Sequence, residues 1–272
     1  MMRALISGKI WLFLLLLALP VAATANDASR VEGIFAGNLR FPNSNQPSDD
    51  SNGFGEILGR IGFALYEDDR SRFSIFATSI ISADTQKFSF NNTNRIGVGL
   101  RYRWKATKRL TLTFSARYDW LDQRNTEVSF NGPRYAIDAF YFRFWSAKPG
   151  ATRFGLPVHS TVLRLFSTLS TPGSLQPGND NVVLDFGGEI SERLTLPNTE
   201  WRLASFIDLI GTWDLDRNNF NNRVIPAFGM RFEYPLETGS IRIGARLRAD
   251  WRWINNTFDV KPGLVAGWFV AF

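Results

Sequence analysis

The chain has 272 residues, 44% hydrophobic and 14% aromatic, with no cysteine, one histidine and a formal net charge of +6. Lack of cysteine excludes a disulfide framework and thiolate sites, and a lone histidine argues against His-rich metal centres, so neither metal nor cofactor is expected. Of 31 basic residues 25 are arginine, which suits paired or ligand-facing cations better than a surface kept merely soluble.

The first element is an export signal at residues 1–25. Arg3 and Lys9 supply positive charge, IWLFLLLLALPV at 10–21 the apolar run, and Ala23-Thr24-Ala25 a small-x-small cleavage site. That run falls short of the ~20 residues a spanning helix needs. Cleavage removes two basic residues and no acids, leaving 29 − 25 = +4 on a mature domain at 26–272.

Beyond residue 25 the period is two. Twelve strands are predicted, at 31–41, 55–66, 71–82, 95–106, 109–121, 134–146, 157–170, 182–194, 200–214, 223–234, 239–253 and 262–272. Alternate residues of a strand face opposite sides. In 241–253 the odd positions are Ile, Ile, Ala, Leu, Ala, Trp and Trp, whereas the even ones hold Arg242, Arg246, Arg248, Asp250 and Arg252. The segments 95–105, 110–120, 182–193 and 224–234 divide in the same way. Segments 135–145 and 158–169 alternate poorly and leave their faces unassigned. The connections alternate in length: 67–70, 107–108, 195–199 and 235–238 are short, whereas 42–54, 83–94, 122–133, 171–181, 215–222 and 254–261 are long. Only 147–156 breaks this rule.

Short turns on one rim and long loops on the other are the layout of an outer-membrane barrel. The alternative, a secreted β-sandwich or lipocalin-like barrel, would solvate its charged face. Tryptophan placement favours the membrane. Trp104, Trp201 and Trp268 fall outward at the short-turn rim, and Trp120, Trp213, Trp251 and Trp253 at the long-loop rim, as two interfacial girdles. The expected fold is all-β, a single up-and-down antiparallel transmembrane β-barrel of about 12 strands.

The last ten residues, GLVAGWFVAF, resemble the terminal strand of bacterial outer-membrane proteins, with Phe272 as the aromatic end. That resemblance implies the outer membrane of a Gram-negative bacterium, lipid contact, and the barrel assembly machinery as a partner. GVGLRYRWKATKRLTLTFSARYDWLD and FGGEISERLTLPNTEWRLASFIDLIGTWDLD resemble the C-terminal barrel domain of bacteriophage adsorption protein A, which, like several exopolysaccharide-export porins, carries helical repeats before its barrel. That resemblance implies a role in passing a sugar polymer. The helical repeats of those proteins are not found here, so their periplasmic scaffold functions do not carry over.

Parity places Arg101, Arg103, Arg117, Asp119, Asp185, Glu189, Arg202, Asp208, Arg231, Glu233, Arg242, Arg246, Arg248, Asp250 and Arg252 inward, with Glu32, Arg40, Glu56, Arg60 and Arg72. The functional reading is an outer-membrane channel, porin-like, passing small polar or anionic solutes through an Arg-rich lumen. Its alternatives are exopolysaccharide export and a plugged barrel or surface receptor whose long loops contact phage or partners. An enzyme is the least favoured option, and no catalytic activity is expected. There His159 stands beside Ser160, but adjacent strand residues face apart, so no nucleophile–base hydrogen bond is expected. Basic and aromatic residues segregate to opposite faces, which argues against nucleic acid.

Overall fold

Strict alternation over ten or more residues, rich in β-branched and aromatic side chains, drives the chain into long antiparallel strands. The computed structural model describes residues 30–42, 51–88, 91–126, 128–173, 180–217 and 221–272, and the predicted export signal lies outside them. The strands are β1 (Val31–Phe41), β2 (Phe54–Glu67), β3 (Ser71–Asp84), β4 (Thr93–Lys105), β5 (Leu110–Gln123), β6 (Val128–Ser146) and β7 (Thr152–Arg153), then β8 (Leu156–Thr171), β9 (Val183–Thr195), β10 (Arg202–Asp214), β11 (Arg223–Leu236), β12 (Gly239–Arg252) and β13 (Thr257–Ala271).

Each long strand pairs with its sequence neighbour. β6 pairs with β8, and β1 pairs with β13 from Ile34↔Ala271 to Phe41↔Leu264, so twelve strands close into an antiparallel up-and-down barrel. The two-residue β7 is extra. It folds back on the start of β8 within the irregular connection after β6. At the closing seam Gly33 and Gly37 lie beneath the rings of Phe272 and Trp268 on the outer face. A Cβ on Gly33 would sit 2.0 Å from Phe272 Cζ, and one on Gly37 2.4 Å from Trp268 Nε1.

Two predicted long loops are corrected. β6 begins at Val128 and β13 at Thr257, so the loops expected at 122–133 and 254–261 shrink to residues 124–127 and 253–256. Phe130, Gly132 and Pro133 pair with β5, and Phe258 and Val260 with β12. Polar loop-like composition was misleading because hairpins that project past the membrane can pair while wearing hydrophilic side chains. Trp253 accordingly lies in a turn rather than on a strand.

The twelve strands also form two similar halves. Residues 130 positions apart take equivalent places: Phe76 and Phe206, Asp84 and Asp214, Arg101 and Arg231, Trp104 and Tyr234. Asn91 Nδ2 donates to Asp84 at 2.6 Å and Asn92 Oδ1 accepts from the Asp84 amide. Asn221 and Asn222 do the same for Asp214. β3–β4 and β10–β11 stand six strands apart in the ring of twelve, so these capped loops lie on opposite sides.

The outer face is apolar. Ile57, Ile75, Leu100, Ile137, Ile207, Phe228, Ile243 and Leu264 are all exposed, as lipid-facing residues are when viewed without lipid. Replacing Leu264, near the middle of β13, by Arg is expected to cost about 2–4 kcal/mol of stability in vesicles. Denaturant unfolding followed by tryptophan emission measures it, and no loss would show that this row is not in hydrocarbon.

The β2–β3 turn holds a pH-sensitive carboxylate outside the strands. Asp68 accepts from the Tyr66 hydroxyl at 2.7 Å and from the amides of Arg70 at 2.8 Å and Ser71 at 2.7 Å. The Tyr66 hydroxyl and these two amides hold its pKa below the ordinary carboxylate value. The turn's stabilisation is therefore complete above about pH 4 and fades as pH falls through the lowered folded value. Amide exchange at Arg70 and Ser71 is expected to accelerate only below that window, beyond the change intrinsic to pH.

Candidate functional site in the barrel interior

The strand face opposite the exposed apolar row carries the charges. Its side chains reach one another across the inside of the barrel, because many ion pairs join strands that are not hydrogen-bonded neighbours. Glu32 of β1 pairs with Arg72 of β3 at 3.6 Å and with Arg103 of β4 at 3.1 Å, and it also contacts Arg101. Across the barrel, Arg231 of β11 clasps Glu189 of β9 through two hydrogen bonds of 2.6 Å. Glu233 takes Arg231 and Arg193, each at 2.7 Å, with Arg242 at 3.7 Å. Arg246 reaches Asp208 at 3.5 Å.

Nearer the long loops, Arg117 holds the fully buried Asp119 at 2.9 Å. Asp250 pairs with Arg252 at 3.5 Å and Arg223 at 3.7 Å. Arg248 donates to the carbonyl of Pro42 at 3.1 Å, and Asp185 accepts from Thr212 at 2.9 Å. The Arg202 guanidinium makes no ion pair or hydrogen bond among the described residues. The predicted inward residues thus share one face and mostly fall into clusters. The clusters around Glu32 and around Glu189 with Glu233 both lie toward the short-turn rim.

Arginine here also covers rings. Arg101 and Arg60 stand 5.5 and 5.9 Å from the Phe76 ring centroid, Arg231 stands 4.7 Å from that of Phe206, and Arg40 stands 4.2 Å from that of Phe54. Each covered ring is buried, Phe76 to 4% and Phe206 to 5% exposure. Cation–π contact and shielding of an apolar ring by the guanidinium plane account for this pairing.

The strands whose faces alternation left open are β6 and β8. Asp138 accepts from Thr168 at 2.6 Å and Arg134 donates to Ser170 at 3.2 Å. With Tyr135 and Ile137 exposed on the outer face, the even positions of β6 face inward. Register then puts Phe140, Phe142 and Phe144 on the inner face beside Phe166, Arg164 and Val162 of β8. These residues escaped the sequence reading because inner and outer faces are both aromatic there, so polarity does not alternate. The 130-residue repeat escaped it too, since each strand was read alone.

His159 is a correction. Its Nδ1 lies 3.0 Å from Ser160 Oγ, a contact that regular strand geometry forbids. A bulge between Val158 and Ser160 in the β8–β9 ladder turns the histidine toward its neighbour. The serine is fully buried, and the charged groups acting on the ring are Arg202 and Arg193, not a carboxylate. The pair has hydrogen-bonding distance, but the serine is buried and, among the described residues, no carboxylate hydrogen-bonds the ring.

Of the predicted girdle residues, Trp104, Trp213, Trp251 and Trp268 are exposed on the outer face. Trp120 packs on Tyr118 with centroids 5.0 Å apart, Trp201 on Tyr234 at 5.3 Å, and Trp253 meets Trp251 at 6.3 Å. Phe272 exchanges backbone hydrogen bonds of 2.8 and 3.0 Å with Gly33 and stacks on Phe35.

Glu233→Gln is expected to destabilise the barrel by about 3–5 kcal/mol, because it leaves Arg193, Arg231 and Arg242 around a neutral group. Unfolding in detergent micelles reads the loss, and adding Arg193→Met is expected to restore part of it. An unchanged midpoint would mean that these ion pairs do not persist.

No protein-family model and no curated protein sequence matches the chain, so the likeness to the adsorption-protein barrel rests on the two quoted segments alone. Among solved structures, the β domain of the Bordetella autotransporter Brka has 10% identity, a TM-score of 0.42, and coverage of 88% of this chain and 98% of its own. An outer membrane channel from Pseudomonas putida F1 has 10% identity and a TM-score of 0.42, covering 89% and 95%. A KdgM porin in complex with disordered oligogalacturonate has 8% identity and a TM-score of 0.37, covering 89% and 99%. Likeness at these values concerns architecture alone. The closed ring of twelve strands, its apolar exterior and its aromatic rims make this chain an outer-membrane β-barrel.

Proposed function

We propose that the barrel is a channel for small polar solutes with a preference for anions. The observation that carries this reading is the inner face of β6 and β8. Phe140, Phe142, Phe144 and Phe166 point inward yet stay 39–46% exposed, so water reaches the interior there. The charges beside it set the preference. Of the twenty sequence-predicted inward ionisable residues twelve are arginine and eight are acids, and Glu32, Glu233 and Asp250 are each already held between two or three guanidiniums. A wet path bordered by excess guanidinium lowers the barrier for anions. Selectivity then follows the net excess of guanidinium over carboxylate along that path.

Liposome swelling with neutral, anionic and cationic solutes of matched size tests the proposal. Anions are expected to pass fastest and cations slowest, and combined Arg246→Ala and Arg248→Ala exchange is expected to narrow the difference. The ion-pair clusters favour a second reading, a barrel plugged by its own side chains. Exclusion of all three solutes would establish that reading, and faster passage of cations would overturn the preference.

A further inference from the structure

The inner phenylalanines are of two kinds. Phe54, Phe76 and Phe206 are capped by guanidinium and buried. Among the described residues no cation lies over Phe140, Phe142, Phe144 or Phe166, and their exposures are 44, 39, 46 and 41%. The ring of Phe166 lies against the wall. A Cβ on Gly187 would come within 2.7 Å of its Cζ, so glycine is what lets the ring lie flat there. Three phenylalanines at every second residue give an apolar strip about 13 Å long.

One cation stands beside this strip without a partner of its own. Arg164 is directly opposite Phe142 in the β6–β8 register, on the same face. Among the described residues its guanidinium makes no ion pair or hydrogen bond, and the carboxylate acting on it most strongly, Glu189, is already clasped by Arg231. Arg164 also borders a cavity of about 250 Å³ at the short-turn end of the interior, with Arg193, Arg202, Arg242, Glu233 and Phe269. Its charges are four guanidiniums against one carboxylate, and that carboxylate is shared by Arg193 and Arg242 from within the cavity.

We infer that this end of the lumen binds an aromatic carboxylate, with its carboxylate on Arg164 and its ring against Phe142 and the adjoining phenylalanines. The inference rests on the reading of the lumen as a passage and names the solute class it favours. A small inorganic anion would satisfy the guanidinium and leave four rings in water. A neutral sugar would cover rings but leave the cation without a counter-charge, and phenylalanine has no polar tip to hold hydroxyls. An apolar ring carrying a carboxylate uses both. The guanidinium fork matches the two carboxylate oxygens, and ring-on-ring packing adds to it.

The test uses the purified mature chain in detergent micelles, with protein-free micelles as blank, and titrates benzoate, acetate and benzamide. Benzoate is expected to bind roughly ten-fold more tightly than either partial analogue. Arg164→Gln is expected to abolish its advantage over benzamide, and Phe142→Ala its advantage over acetate. Phe144→Ala, nearer the strand end, gives the same reading should Phe142→Ala fail to fold. Equal binding of benzoate and acetate, or variants that match the native chain, would overturn the site. Chloride and acetate permeation into liposomes is measured alongside. Permeation without benzoate preference sinks only the site, and benzoate preference without permeation sinks only the passage.

Discussion

Hydrocarbon offers a backbone amide no water, and an unpaired N–H or C=O in it costs several kcal/mol. A sheet can tolerate that solvent only by having no edge. Everything else in this barrel follows from the meeting of β1 with β13, which turns twelve strands into a ring and separates an outside from an inside. The seam is eight residue pairs long, against ten in the β1–β2 ladder and fourteen in the β12–β13 ladder. Glycine at positions 33 and 37 lets the aromatic side chains of the last strand lie across the first.

Closure creates the second problem, an interior lined by long cations in confined space. Two arrangements relieve it. Carboxylates are shared among guanidiniums of several strands, up to three strands away, as at Glu32 and Glu233. Elsewhere the guanidinium plane lies over a phenylalanine. Both recur in the two halves: Arg101 with Phe76 and Arg231 with Phe206 are the same device on opposite sides. The halves then diverge, since the bare phenylalanines and Arg164 of β6 and β8 interrupt the ionic lining on one side only.

Alternation is legible where the two faces differ in polarity, and β12 is the clearest case, with Arg242, Arg246, Arg248 and Arg252 on one side and Ile, Leu and Trp on the other. It fails where they do not. On β6 Tyr141, Arg143 and Trp145 face out near an interface while Phe140, Phe142 and Phe144 face in, so hydropathy reverses sense along one strand. Loop composition misled at Phe130–Pro133 and at Thr257–Lys261 because hairpins beyond the bilayer need pairing but not grease. The His159–Ser160 contact was illegible for a different reason, since a single-residue bulge leaves no mark on composition. The half-barrel repeat, by contrast, stands in the sequence as GLRYRW against GMRFEY, 130 positions on, and RYDW against RADW, 131 positions on.

The seam gives one indole a special position. Trp268 rests on Gly37, a residue more than 200 positions earlier in the chain, whereas Trp104 and Trp120 sit on ladders between strands that follow one another. Local hairpins can form around those two at any stage. The surroundings of Trp268 become complete only when the cylinder shuts, so its fluorescence is an intrinsic optical gauge of the final step of assembly.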